Sequence, residues 1–310
     1  MPVYLADAPS ASTHLQHPRV DRVPVYPSDL TDAQWQVLRP QAEAVMMDLR
    51  RATGRPMVYA LRAMVDAIAY VARNGIEWRA LPVDFPPWKA VYAFFERWSE
   101  RGLPQQLVGR LREELRAGAG RDRQPSAAIV DSQSIKAADV VPAKTRGYDS
   151  GKKINGRKRH IAVDVEGFLL AVVVTTANIG DRMGAKFLVI SLLDTFTRLK
   201  LVWADSGYDG RPLADWVRAV AGMSLVVIKR TEAHTFKVVP RRWVVERTFG
   251  WLLRYRRLVR DYERRPEHHE AMVYWATVMI MTKRLARQQG RAPAVKQRWG
   301  QPRPVPESVV

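Results

Sequence analysis

The sequence of 310 residues contains no cysteine and no long apolar run. The absence of cysteine excludes disulfides, cysteine-ligated zinc and a thiol nucleophile. No stretch approaches the roughly 20 apolar residues that a membrane-spanning helix needs. The segment MPVYLADAPS lacks the basic and apolar regions of a signal peptide. We therefore expect a cytoplasmic protein that does not bind membranes.

Several signatures of common enzyme classes are also missing. There is no GxxxxGK[ST] loop for nucleotide phosphates, which argues against a nucleotide cofactor, and no GxSxG motif of a serine hydrolase. The six histidines form no HExxH or other zinc-binding pattern. We interpret His268 and His269 as an exposed pair on a helix.

Acidic residues are few relative to basic ones. Fifty Lys and Arg stand against 31 Asp and Glu, which leaves a formal net charge of +19. Such an excess favours a polyanionic partner, because binding releases the counterions condensed on nucleic acid. The alternative is a basic surface that only maintains solubility.

The chain divides into a helical part and a mixed part. Residues 1–27 have no periodicity and are interpreted as a flexible lead-in. Apolar residues recur at helical spacing through 28–116, where Thr31 and Gln34 predict a capping box and Asn74-Gly75 predicts a helix end. This part is either a DNA-binding domain or a packing and dimerisation domain. Residues 117–126 are interpreted as a linker and 289–310 as a basic disordered tail.

Residues 127–288 alternate between strand and helix patterns. Five runs predict strands at 127–131, 160–165, 168–176, 201–204 and 225–228, with Glu166-Gly167 as a hairpin turn. Helices are predicted at 182–196, at 211–221 and from Arg242 onward. Early strands with a hairpin, followed by alternating helices and strands, predict an α/β fold: a ribonuclease-H-like mixed sheet with flanking helices.

Three carboxylates are the candidate catalytic and metal-binding residues. Asp131 ends the first predicted strand and Asp205 ends the fourth, so both are expected at one edge of the sheet. Glu246 lies on a helix that can pack against that edge. Clustered acids repel one another unless a cation neutralises them, and hard divalent ions prefer oxygen ligands. We therefore expect Mg²⁺, with Mn²⁺ able to replace it, in a site for phosphodiester chemistry.

Other acids compete for these roles. Asp164 is interpreted as shaping the hairpin turn and Asp181 as capping a helix. Asp209 lies close to Asp205 and is a candidate helper of that residue.

Basic residues cluster in two stretches that we predict to contact DNA. The first, KTRGYDSGKKINGRKRH, is interpreted as a flexible loop between the first two predicted strands, and the second surrounds Glu246. The candidates are Lys144, Arg146, Lys152, Lys153, Arg157, Lys158, Arg159, Arg242, Arg247, Arg254 and Arg257.

Segments that together run from about residue 28 to 288 resemble the insertion-sequence-five family of transposases in the DDE superfamily. The resemblance is carried by LTDAQWQVLRP, IVDSQSIKAADV, VWADSGYDG and RRWVVERTFGWLLRYRRLVRDYE, which come in the order of that family. It implies a ribonuclease-H-like catalytic domain, Mg²⁺ dependence and terminal inverted repeats as substrate. By motif match it also assigns the three acids to Asp131, Asp205 and Glu246.

Three functions remain open at this point. The first is an active transposase that cleaves and joins double-stranded DNA at element ends and target, as a homodimer on DNA and associated with the nucleoid. The second is a catalytically silent DNA-binding protein derived from one, which the three intact acids disfavour. The third is a metal-dependent nuclease of the same fold, which the resemblance of the helical part disfavours.

Overall fold

The computed structural model describes residues 22–48, 58–228 and 242–290. The predicted lead-in up to residue 21 and the tail from 291 lie outside these ranges. The described part of the helical region contains α1 (Asp32–Asp48), α2 (Leu61–Asn74), α3 (Trp88–Glu100) and α4 (Leu103–Gly118). Helix α4 therefore extends two residues into the predicted linker, and the domain boundary itself stays a prediction.

The helix ends agree with the local predictions. The Gln34 backbone N–H donates to the Thr31 hydroxyl at 3.2 Å, and the Thr31 N–H donates to the Gln34 side-chain oxygen at 3.1 Å. This reciprocal pair is the predicted capping box. Gly75 ends α2 with a φ of 72°, a left-handed conformation that favours glycine.

Within the described ranges, one mixed sheet contains six strands: β1 (Ala127–Lys136), β2 (Gly147–Asp149), β3 (Ile154–Val163), β4 (Leu169–Thr176), β5 (Leu201–Ala204) and β6 (Ser224–Val227). Strand β3 is antiparallel to β1 on one side and to β4 on the other, with the short β2 beside its beginning. Strand β5 is parallel to both β1 and β6. The predicted α/β, ribonuclease-H-like class is confirmed.

Helices cover both faces of the sheet. Helices α5 (Asp181–Leu193) and α6 (Arg211–Ala221) pack on one face through a core that includes Leu188 and Val217. Helices α7 (Arg242–Leu252) and α8 (Pro266–Gln288) pack on the other, in a core that also contains α1 to α4. The helical region and the sheet therefore share one hydrophobic core. Among the described residues, no helix is both long and apolar enough to span a membrane.

Candidate active site at the β1 and β5 edge

Asp131 lies within β1 and not at its end, because the strand continues to Lys136. The prediction that it ends a strand was wrong, since the polar residues after it still pair with β3. Its relation to Asp205 is nevertheless close. The parallel register pairs Ile129 with Trp203, and both acids lie two residues further along their chains. The register therefore places Asp131 beside Asp205.

The two acids also share a face of the sheet. Side chains alternate between faces along an extended chain, so Asp131 follows Ile129 and Asp205 follows Trp203. Asp205 itself keeps an extended backbone beyond the end of β5. Ile129 and Trp203 belong to the core that also contains Val245. The two carboxylates thus lie on the face that α7 covers.

Glu246 is carried by this same helix. Val244, Val245 and Phe249 of α7 are buried, whereas the Glu246 side chain is exposed. The fold thus brings the helix of Glu246 against the strand of Asp131. The described residues nevertheless contain no group of three or more His, Asp or Glu side chains that could hold a metal ion as they stand.

Asp181 is a fourth acid near this edge. It is the first residue of α5, whose N-cap is Gly180 without a side-chain hydrogen bond, so its interpretation as a capping residue was wrong. Its Oδ1 instead accepts from the Ser132 hydroxyl at 2.6 Å and from Lys158 Nζ at 3.3 Å. The Asp181 carboxylate is therefore held against β1 and β3.

A glycine keeps the space between two of these acids open. A Cβ on Gly207 would lie 3.0 Å from Asp205 Oδ1 and 3.5 Å from Asp181 Oδ2. The Gly207 N–H donates to the same Asp205 oxygen at 2.8 Å. The neighbouring Tyr208 is buried, and burial raises the pKa of its hydroxyl well above the usual value, with the charge of Asp131 adding to the effect. The Gly207 N–H thus orients Asp205, and the missing Cβ of Gly207 leaves room between the Asp205 and Asp181 carboxylates.

This donor set fits a hard divalent cation. Asp131 and Asp205 offer oxygen ligands on one face, and Gly207 leaves the space beside the Asp205 carboxylate unfilled. Oxygen ligands of this kind are what Mg²⁺ and similar ions prefer. The residues that the structure describes here are therefore chemically suited to such an ion.

The first basic stretch is only partly a loop. Residues 154–163 form β3, and Arg157 and Arg159 within it are 1% and 0% exposed. Arg157 donates to Asp261 at 2.9 Å and to the Glu263 carbonyl at 2.8 Å, while Arg159 bonds Gln133 and the Leu258 carbonyl. The prediction that these two arginines contact DNA was wrong, because a sheet covered on both faces buries them.

Two further predicted DNA contacts are buried as well. Arg257 donates to Glu263 Oε1 at 2.7 Å and to the Ile76 carbonyl at 2.8 Å, so it joins the helical region to the segment after α7. Lys158 is 5% exposed and donates to the Ile179 carbonyl at 2.9 Å as well as to Asp181. Arg257 was thus wrongly assigned to DNA, and so was Lys158, which instead supports the Asp181 carboxylate.

The other basic candidates are accessible to different degrees. Lys144, Lys152, Lys153 and Arg254 are exposed, and Arg146 is half-buried. Arg247 is half-buried between two tryptophans, with its guanidinium 4.3 Å from the ring centre of Trp243 and 4.6 Å from that of Trp251. Arg242 is the first residue of α7, and its side chain lies outside the described part.

The contacts of Ser132, Lys158, Asp181 and Gly207 were not anticipated from the sequence. Ser132 and Lys158 lie in parts of β1 and β3 that the predicted strands did not reach. The contacts join residues up to 49 positions apart. The polar run SQS after Asp131 was the sequence feature that could have indicated these contacts. Alternation along the strand places Ser132 on the face opposite to Asp131, where a polar side chain needs a partner. Without the pairing partners, that run gave no indication of which acid it would meet.

Comparisons with known proteins agree with this architecture. A family model described as "Transposase DDE domain" matches residues 122–281, and one described as "Putative transposase of IS4/5 family" matches residues 30–108. A protein of Burkholderia cepacia, "Putative transposase for insertion sequence element IS402", is 33% identical over 147 residues. That alignment covers 43% of this chain and 65% of the relative. The matched stretch therefore spans slightly under two-thirds of the relative.

Proposed function

The chain belongs to the transposase family that carries the DDE domain, and from this membership we propose that it is an active DNA transposase. It binds the terminal inverted repeats of an insertion sequence, cleaves the DNA there and transfers the cut strand to target DNA. The observation that carries this proposal is the register of β1 and β5, which sets Asp131 beside Asp205 on the face covered by the helix of Glu246.

The proposed catalytic residues are Asp131, Asp205 and Glu246, which together hold the metal. Family membership implies dependence on a divalent ion in general, and the all-oxygen ligand set favours Mg²⁺, with Mn²⁺ as a substitute. When bound, the ion supplies Lewis-acid activation of an attacking oxygen and stabilisation of a leaving oxygen. Gly207 orients Asp205 through its N–H, and Ser132 with Lys158 holds Asp181 beside it.

The proposed partner is double-stranded DNA. The net charge of +19 supports a polyanion, and the accessible candidates for phosphate contacts are Lys144, Arg146, Lys152, Lys153, Arg247 and Arg254. Because transposition acts on two element ends, we further propose that the protein works as a homodimer on DNA.

A cleavage and strand-transfer assay tests the proposal. Labelled DNA that carries the element ends is incubated with the full chain and Mg²⁺ or EDTA, beside the variants Asp205→Asn and Glu246→Gln. Asp194→Asn is the matched control, because Asp194 is an exposed acid at the end of α5. We expect nicked and joined products with Mg²⁺ for the wild type and for the control.

The two site variants should bind DNA but lose their products. The loss should exceed the roughly 10- to 100-fold effect that removal of an outer-shell partner of a metal has. Cleavage without joining would indicate a nuclease, and binding without any product would indicate a silent DNA-binding protein. Normal cleavage by either variant would remove that residue from the catalytic set.

A further inference from the structure

A polar cleft lies between the helical region and the segment that follows α7. Its volume is about 370 Å³, and the lining residues include Tyr26, Ser28 and Tyr70 on one side and Arg254 and Arg256 on the other. Arg73, near the end of α2, also lines it. The described lining contains three arginines and no acidic residue.

These three arginines lack the carboxylate partners that some exposed arginines of the protein have. Arg39 pairs with Glu43 at 2.8 Å and Arg123 with Glu114 at 2.6 Å. Within the described ranges, by contrast, no carboxylate forms an ion pair with Arg73, Arg254 or Arg256, and all three side chains are exposed. Three unpaired guanidinium groups around one cleft create a positive potential that favours an anion.

The two sides of the cleft also contact each other directly. Arg73 donates from Nη1 to the Arg254 carbonyl at 2.5 Å, and its guanidinium lies 5.7 Å from the centre of the Tyr255 ring. A Cβ on Gly75 would approach Arg256 Cβ to 2.9 Å, so α2 packs closely on the segment after α7. Arg257 Nη1 also donates to the Ile76 carbonyl and joins the same two segments. The arginines therefore extend from two main-chain segments that pack closely on each other.

One hydroxyl also lacks a partner inside the cleft. The Ser28 Oγ is shielded from solvent and makes no hydrogen bond to any described residue. A hydroxyl in this position can donate to a phosphate oxygen, as serine does at many DNA backbones. Guanidinium groups match phosphate geometry with paired N–H donors.

We propose that this cleft binds the phosphate backbone of duplex DNA and so makes the helical region part of the DNA-binding surface. The inference rests on the proposed function, which supplies DNA as the partner. It adds Arg73, Arg256 and Ser28, which lie apart from the basic stretch between β1 and β3. DNA bound here contacts the helical region and the catalytic part at once.

The double variant Arg254→Gln/Arg256→Gln tests this site. Both changes leave the main-chain carbonyl that Arg73 uses and the Cβ that faces Gly75. The matched control, Arg39→Gln/Arg123→Gln, removes the same charge from two exposed arginines that have carboxylate partners. Duplex DNA affinity of the full chain is measured at several salt concentrations, and thermal melting checks that each variant is folded.

Each lost phosphate contact should lower the slope of log affinity against log salt by about 0.9. We therefore expect the double variant to lose about two units of slope and roughly 10- to 100-fold in affinity near 0.1 M salt, with the control close to wild type. If the double variant kept the slope and affinity of a wild type that binds and cleaves DNA, the assignment of the cleft to DNA would be overturned and the proposed function would stand. A wild type that binds no DNA would overturn the proposed function together with the cleft.

A titration with inorganic phosphate distinguishes a cleft that binds a small free anion from one that binds the DNA backbone. Calorimetric titration of the wild type and the double variant with phosphate should show weak binding at most. Tight phosphate binding that the double variant loses, with DNA affinity unchanged, would assign the cleft to a free anion and overturn the DNA inference.

Discussion

Whether an individual basic residue is exposed or buried depends on its neighbours in the fold and not on its charge. Lys152, Lys153, Arg157 and Arg159 belong to one basic run, yet the first two are exposed and the two arginines are buried. Burial of an arginine is tolerated only where carbonyl or carboxylate oxygens satisfy its donors. Asp261 supplies such an oxygen to Arg157 from a segment 104 residues away.

Gly207→Ala tests the site at the scale of one methyl group. The added Cβ would lie 3.0 Å from Asp205 Oδ1, and the carboxylate can move aside at little cost in stability. We expect a thermal midpoint close to that of the wild type and DNA binding unchanged, with cleavage reduced by about 10-fold or more, as for a displaced partner of a metal site. Gly109→Ala, within α4, is the control for the added methyl group, because a Cβ there meets only Arg112 Nη2 at an ordinary 3.8 Å. Full activity of Gly207→Ala would show that the orientation of Asp205 is not critical.

Individual elements begin and end where short-range chemistry dictates. The capping box at Thr31 and the left-handed Gly75 were predictable because both involve residues within one helical turn. Strand lengths were less predictable. Strand β1 extends five residues beyond Asp131 because its polar half pairs with β3, a partner that the hydrophobic pattern does not reveal.

Thr31→Ala should lower the free energy of unfolding by about 1 kcal/mol, since it removes the hydroxyl that accepts the Gln34 N–H. Urea unfolding followed by circular dichroism measures the change. Thr197→Ala, at an exposed turn, should stay within about 0.5 kcal/mol of the wild type. Equal effects of the two changes would argue against the cap.

Helix α4 is joined to the β3–β4 hairpin by a buried ion pair. Arg116 Nη1 lies 2.5 Å from Asp164 Oδ2, and Asp164 Oδ1 accepts the N–H groups of Glu166 and Phe168. The prediction that Asp164 shapes the turn is thereby confirmed. Burial nevertheless raises the pKa of Asp164, against the opposing effect of its hydrogen bonds and of Arg116.

Arg116→Met should destabilise the protein by about 3–5 kcal/mol, because it leaves a buried carboxylate unpaired. Adding Asp164→Asn removes that charge and should restore part of the loss, by about 0.5–3 kcal/mol. Chemical denaturation of the single and double variants measures both quantities. A double variant that is less stable than Arg116→Met would contradict an unpaired charge as the cause.

At the scale of the whole molecule, α8 unites the helical region with the sheet. Its residues Met272, Trp275 and Val278 are fully buried in the shared core. Trp275 stacks on Trp98 of α3 with ring centres 5.6 Å apart. The Tyr274 hydroxyl oxygen accepts the Val172 N–H of β4 at 3.3 Å. His268 and His269, interpreted as exposed, are buried here, and His269 Nδ1 lies 3.0 Å from Asp261.

A buried glutamate of the same helix, Glu270, should make the stability of the protein depend on pH. Glu270 Oε1 accepts the Val174 N–H at 2.7 Å, and burial raises its pKa from 4.5 to about 7. The pKa of Glu270 is thus higher in the folded state than in the unfolded state. Its contribution to stability is therefore complete below about pH 4.5 and is lost as pH rises through about 7.

Glu270→Gln keeps an acceptor oxygen but cannot ionise. We expect its unfolding free energy to fall less than that of the wild type between pH 5 and pH 8, by roughly 1–3 kcal/mol. Urea denaturation across this range measures the difference, with the exposed Glu43→Gln as control. Parallel pH profiles for wild type and Glu270→Gln would rule out a raised pKa at this residue.

The sequence by itself determined the inventory of chemistry and most element types. An excess of cations, three candidate acids, helix caps and apolar strand runs are local properties, and they indicated an α/β fold with a carboxylate edge. Only the tertiary structure decided which arginines are buried, which acid Ser132 and Lys158 meet, and that an arginine-lined cleft forms beside α2. The physical reason is that these outcomes depend on strand register and on contacts between residues dozens of positions apart, which no local pattern encodes.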